Sequence, residues 1–159
     1  MDSLSNQGSL SFLYANLTNE GSALVEPWEV YLRIVADFQV LVGGRTLYSE
    51  SLFPVVEFAI QSAAWSSRVV QGGPDFVYTS MEADEEGLVW IKPAGERWQI
   101  GSVFQEKVDP LPPLELFEVQ LAVDDFYAGL RRDVLALFQV DISGLFSWKG
   151  IGIPSRLEQ

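Results

Sequence analysis

The sequence predicts an α+β domain built on a twisted, mainly antiparallel sheet of about six to seven strands with two helices. Three observations predict it. Apolar and polar residues alternate over residues 28–42, three short apolar segments follow one another with turn residues between them over 76–105, and two other stretches abandon strand alternation for helical character.

Along the chain, residues 1–8 are small and polar and are expected to form a loose lead into a first strand over 10–17. A turn-like segment over 18–27 follows. In 28–42, Val30, Leu32, Ile34, Ala36, Phe38 and Val40 share one face of the predicted strand, while Tyr31, Arg33, Val35, Asp37 and Gln39 share the other. Gly43-Gly44 supplies a tight turn, and 45–52 returns as the hairpin partner. Pro54 suits the first helical position, where its missing N–H costs nothing, so a largely apolar helix over 55–65 is expected to pack across the sheet.

Gln71-Gly72-Gly73-Pro74 then opens a meander of three predicted strands, 76–81, 87–92 and 98–105, joined by Glu82-Ala83-Asp84-Glu85-Glu86 and by Pro93-Ala94-Gly95-Glu96. Phe117, Val119 and Leu121 alternate with Glu118 and Gln120, which suggests one more strand or an extended approach to the last helix. Asp124 or Asp125 is read as the cap of that helix, in which Phe126, Leu130, Val134 and Leu137 recur at helical spacing as far as about Phe138. From Asp141 on, glycines alternate with Leu145, Phe146 and Trp148, the pattern of a docked irregular segment. Composition does not change across Asp109-Pro110-Leu111-Pro112-Pro113, so residues 1–159 are expected to form a single domain. A chain of that size buries roughly two-thirds of the surface its unfolded form exposes.

Charge narrows the function. There are 22 Asp+Glu against 10 Lys+Arg and no His, a net charge of -12, alongside 48% hydrophobic residues. Such a chain folds, and its field repels phosphate backbones and anionic lipid surfaces while attracting basic proteins. Neither nucleic acid nor membrane is therefore expected as a partner. The N-terminal segment lacks the positive region and apolar core of a secretory signal, no apolar run approaches a membrane span, and there is no Cys, so a cytoplasmic protein is the simplest reading.

Catalysis is disfavoured by missing residue types. Without His or Cys, the commonest general base and the strongest nucleophile are both absent. Lys92, Lys107 and Lys149 show no Ser-x-x-Lys spacing, and the paired glycines lack the further residues of a phosphate loop. Carboxylates remain. Glu82, Asp84, Glu85 and Glu86 form the densest cluster, but the alternating ligands, central Gly and final Glu of a calcium loop are out of register there. A solvated hairpin turn or a partner-binding loop fits better than a metal site, and no cofactor is expected. Trp65, Phe76, Tyr78, Trp90, Trp98 and Phe104 read as core rather than as a base-stacking platform.

The segments PVVEFAIQSAAW and DFVYTSMEADEEGLVWIKPAGERWQIGSVFQEK resemble a pattern found in small acidic immunity proteins of bacterial polymorphic toxin systems. In these a helix precedes an F-x-Y-T-S-x-E strand, an acidic turn, and strands ending in W-x-I-x-S. The resemblance implies a single domain, often encoded beside a secreted toxin, whose acidic surface plugs a basic active site without turnover. It transfers no catalytic residue. On this reading Glu82, Asp84, Glu85 and Glu86 at one hairpin tip, with Asp124 and Asp125 as a second set, are the candidate partner-binding residues. Two alternatives stay open: an inhibitor that mimics nucleic acid to block a nuclease or restriction enzyme, and a carboxylate-based hydrolase.

Overall fold

The computed structural model describes residues 9–21, 23–105 and 111–148. The predicted lead over 1–8, and the tail beyond Trp148, lie outside the described residues. An α+β architecture is confirmed and its strands are antiparallel, but among the described residues the six strands form two sheets of three, not one continuous sheet, and three α-helices and a 3-10 helix stand where two helices were expected.

The first sheet has the order β1 (Leu10–Asn19), β2 (Ile34–Val42), β3 (Arg45–Phe53). Gly43 and Gly44, at φ 58 and 82, make the hairpin turn that pairs Val42 with Arg45; two consecutive positive φ values are what a tight right-twisted hairpin requires. The predicted strand over 28–42 is corrected at its start, because a short helix, α1 (Pro27–Arg33), precedes β2. Pro27 occupies the first turn, and Glu26 and Glu29 cap one another reciprocally, so the helix start outweighs the alternation. Tyr31 is thereby buried together with Val30.

The second sheet runs β4 (Phe76–Thr79), β5 (Glu86–Ala94), β6 (Arg97–Gly101). β6 stops at Gly101, well short of the predicted end at Gln105. Of the aromatic residues expected in the core, Trp65, Phe76, Tyr78 and Trp98 are buried, but Phe104, beyond the end of β6, is exposed.

Between the sheets lies α2 (Val55–Ser66), in which every residue but Ala63 is buried. A helix buried on all sides needs cover on all sides. Phe58 shows how this is met: its ring meets Phe12, Phe38 and Phe53 of the first sheet, Phe76 and Tyr78 of the second, and Phe126 of the last helix, at centroid separations of 5.1 to 6.0 Å. Phe38 also stacks on Phe53 at 4.3 Å.

The last helix, α3 (Leu116–Phe138), is longer than predicted and absorbs the suggested strand over 117–121. Glu115 and Glu118 form its capping box, so Asp124 and Asp125 lie inside the helix and cap nothing. Its end at Phe138 agrees with the sequence reading; Gln139 closes it with φ 57 and an N–H bonded to the Leu135 carbonyl. A 3-10 helix (Ile142–Ser147), capped by the Asp141 side chain, buries Ile142 and Leu145, so this part of the tail is docked as expected, though as a helical turn and not as an irregular segment.

Candidate functional site

The acidic segment forms the connection between β4 and β5, and Glu82, Asp84, Glu85 and Glu86 are all exposed there. Its base is fixed from below by two polar residues of α2. Glu57, fully buried, accepts the Tyr78 hydroxyl at 2.6 Å and the Met81 N–H at 2.8 Å. One turn later, Gln61 accepts the Thr79 N–H at 3.2 Å and donates to the Thr79 carbonyl at 2.7 Å and the Tyr31 hydroxyl at 3.1 Å. The Gln61 amide thus stands where a neighbouring strand would, completing the backbone bonding of Thr79. Ser80 adds an acceptor for the Glu82 N–H at 3.1 Å.

Burial pushes the Glu57 carboxyl above the usual carboxylate range, against the opposing pull of Tyr78, Met81 and Ser80; the negative charge of Glu82 adds to the rise. Among the described residues no three carboxylates converge as a metal-binding group, so the acidic loop presents charge outward and gathers no ligand set.

Asp124 and Asp125 belong to a different surface. Along α3, Val119, Val123, Phe126, Leu130 and Val134 face the core. Positions 117, 121, 124 and 125 fall at spacings of four, seven and eight and so share the opposite face. Phe117 is 67% exposed and Leu121 58%. Two carboxylates therefore stand one and two turns from exposed apolar side chains. The two predicted acidic sets are not brought into one element: one crowns the hairpin of the second sheet and the other rides on α3.

Two grooves border β1. One, about 650 Å³, lies on the first sheet and is lined by Leu13, Ala15, Asp37, Gln39 and Glu50 among others. Asp37 accepts from Asn16 at 2.7 Å and Glu50 from the Tyr48 hydroxyl at 2.5 Å. The other, about 320 Å³, lies between β1 and α3, where Leu17, Asp133, Ala136 and Leu137 contribute. The Tyr14 hydroxyl donates to Asp133 across it. Burial and the adjacent carboxylate push that hydroxyl well above the usual phenol range, while the bonds from Tyr14 and Arg132 hold Asp133 below the carboxylate range.

Sequence reasoning missed Glu57, Gln61, Phe117 and Leu121. The first two carried a signal: Glu and Gln four apart inside a stretch otherwise apolar all round must be buried, and buried polar groups need partners. The second two were hidden because their alternation with Glu118 and Gln120 imitated a strand.

Among the described residues no helix is long and apolar enough to cross a membrane. No curated protein and no solved structure matches the chain. Residues 13–136, from within β1 almost to the end of α3, match the model of a domain family of unknown function, DUF7878, and the chain belongs to that family.

Proposed function

We propose that this protein is a non-catalytic protein-binding module, an immunity protein that neutralises a cognate toxin by covering a basic active site. One observation carries the reading. On the outward face of α3, exposed Phe117 and Leu121 stand beside Asp124 and Asp125, which is the composition a tight inhibitor wants: apolar anchors to be desolvated, and neighbouring carboxylates to speed encounter and fix register. The rigidly based loop with Glu82, Asp84, Glu85 and Glu86 supplies a second acidic contact. The net charge of -12 favours a cationic partner, and cationic clefts are common where an enzyme handles nucleic acid or nucleotides.

Co-expression with the product of the adjacent reading frame tests the proposal. The wild-type chain is expected to restore growth that the neighbouring product arrests, and the double variant Phe117→Asp, Leu121→Asp is expected to lose that protection while remaining folded. A neighbouring product that leaves growth untouched, or full protection by the variant, would overturn it.

A second reading, a carboxylate-based hydrolase, draws on the groove that holds Asp37 and Glu50. It is less well supported, because each carboxylate is engaged by a neighbour of its own, Asp37 by Asn16 and Glu50 by Tyr48. Retention of a hydrolytic activity by an Asp37→Asn, Glu50→Gln variant would remove it.

A further inference from the structure

The two sheets have four edge strands, β1, β3, β4 and β6, and the fold treats them differently. The outer side of β6 is bonded in both directions to Leu114, at 2.8 Å each way, and the end of β4 is satisfied by Gln61. β1 and β3 are the edges of the first sheet, and among the described residues no strand pairs with the outer side of either; of the two, β1 lines both grooves.

The bonding phase of β1 shows what that side offers. The Ser9 carbonyl accepts from Gly43 N–H at 2.8 Å, which makes Ser9 and Gly43 a hydrogen-bonded pair. Antiparallel ladders alternate, so Ser11–Leu41, Leu13–Gln39 and Ala15–Asp37 bond likewise. The N–H and C=O groups of Leu10, Phe12 and Tyr14 are consequently directed away from β2. This run ends at the irregularity between Ala15 and Thr18, where Asn16 adopts φ 58. Three outward residues at two-residue spacing match a bound segment of about six residues.

Both grooves meet at this strand. The smaller one is lined by β1 and α3 residues with no contribution from β2 or β3, which places it beyond the edge of β1, and Tyr14 and Ala15 line both grooves. A strand added at this edge would point alternate side chains to opposite faces. Those on one face would enter the groove floored by Leu17, Ala136 and Leu137; those on the other would lie over the sheet that carries Asp37 and Glu50. Arg132 is the nearby cation and is already engaged by Asp133 at 3.0 Å.

We propose that the outer edge of β1 is a docking strand for an extended segment of a protein partner in which basic and apolar residues alternate. Strand addition supplies main-chain hydrogen bonds, and the two grooves supply side-chain selection. Charge decides between this occupant and a second copy of the chain: two molecules at -12 repel, whereas Lys or Arg side chains are drawn to Asp37, Glu50 and Asp133. The inference rests on the protein-binding reading but uses a surface distinct from Phe117 and Leu121.

The test is nuclear magnetic resonance on the full chain, titrated with a blocked hexapeptide of alternating Arg and Val. The amides of Leu10, Phe12 and Tyr14 are expected to shift and to gain protection from hydrogen exchange. Substituting Glu for Arg in the probe, or N-methylating the set of alternate residues that faces β1, is expected to weaken binding by about tenfold or more. Leu137→Asp, at an exposed position lining the apolar groove, is expected to do the same, and Phe117→Asp with Leu121→Asp to change nothing. Absence of binding, shifts mapping away from β1, or equal affinity for both phases of N-methylated probe would overturn the proposal. So would concentration-dependent protection of the β1 amides without probe, which would mark a second copy as the occupant. If the probe ignores β1 while the Phe117, Leu121 variant still loses toxin protection, this inference falls and the preceding one stands.

Discussion

The Tyr78 hydroxyl donates to Glu57 Oε1 at 2.6 Å inside the core, joining β4 to the first turn of α2. Because burial raises the folded-state pKa of Glu57, its contribution to stability is fully present below the ordinary carboxylate pKa and is lost as pH rises through the raised value. Urea unfolding of wild type and Glu57→Gln between about pH 4 and about pH 8 should show wild type weakening relative to the variant as pH rises. Glu57→Ala should cost about 2–4 kcal/mol at both ends, since Tyr78 O–H and Met81 N–H lose their acceptor and a cavity opens. A wild-type-to-Gln difference independent of pH would contradict this account.

Phe58 touches rings from both sheets and from α3, so its truncation should loosen all three at once. Phe58→Ala is expected to lower stability by about 3–5 kcal/mol, and Phe58→Leu by about 1–2 kcal/mol. Calorimetry should show one transition moving as a whole. Two separated transitions would mean that the sheets do not share this residue energetically.

Gly101 lies directly beneath the Trp90 ring: a Cβ placed there would meet the ring at 2.1 Å. Gly101→Ala should therefore displace Trp90, breaking its contact with the Lys92 ammonium at 4.8 Å, and should cost about 1–3 kcal/mol. Tryptophan emission and thermal unfolding report the two effects together. Unchanged emission with unchanged stability would show that the indole has room to move.

Neutralising the acidic loop, with Glu82, Glu85 and Glu86 changed to Gln and Asp84 to Asn, should slow association with the cognate partner about tenfold or more at low salt. The salt dependence of the association rate should flatten in parallel, with the fold intact because all four side chains are exposed. Stopped-flow measurements across a salt series distinguish this from a binding surface elsewhere, which would leave both slope and rate unchanged.

Much of the fold was legible because local signals were strong: the Gly43-Gly44 hairpin, the meander through β4, β5 and β6, and the helix end near Phe138. The errors have physical causes. Alternation in 28–42 ran continuously through a helix start that Pro27 and the Glu26 and Glu29 pair had already marked, and the same conflict at Glu115 and Glu118 concealed the part of α3 ahead of the expected cap at Asp124 or Asp125. The burial of α2 was foreshadowed by its composition, since a largely apolar helix cannot be covered by one sheet alone, but which elements supply the rest of the cover was not. Of the candidate acidic site, the carboxylates themselves were readable from the sequence. Their neighbours were not, because Phe117 and Leu121 share a face with them only if the helix extends ahead of Asp124, where a strand was expected.

The arrangement of α2 also bears on how the chain can fail. Each sheet uses this one helix as its inner wall, so neither sheet has an apolar face that could be closed without the other. Loss of the connection between β3 and α2, by cleavage at Pro54 for instance, would leave no half able to fold. The intact chain should accordingly behave as one cooperative unit, with the slowest-exchanging amides of β2 and β5 opening together at the global unfolding free energy.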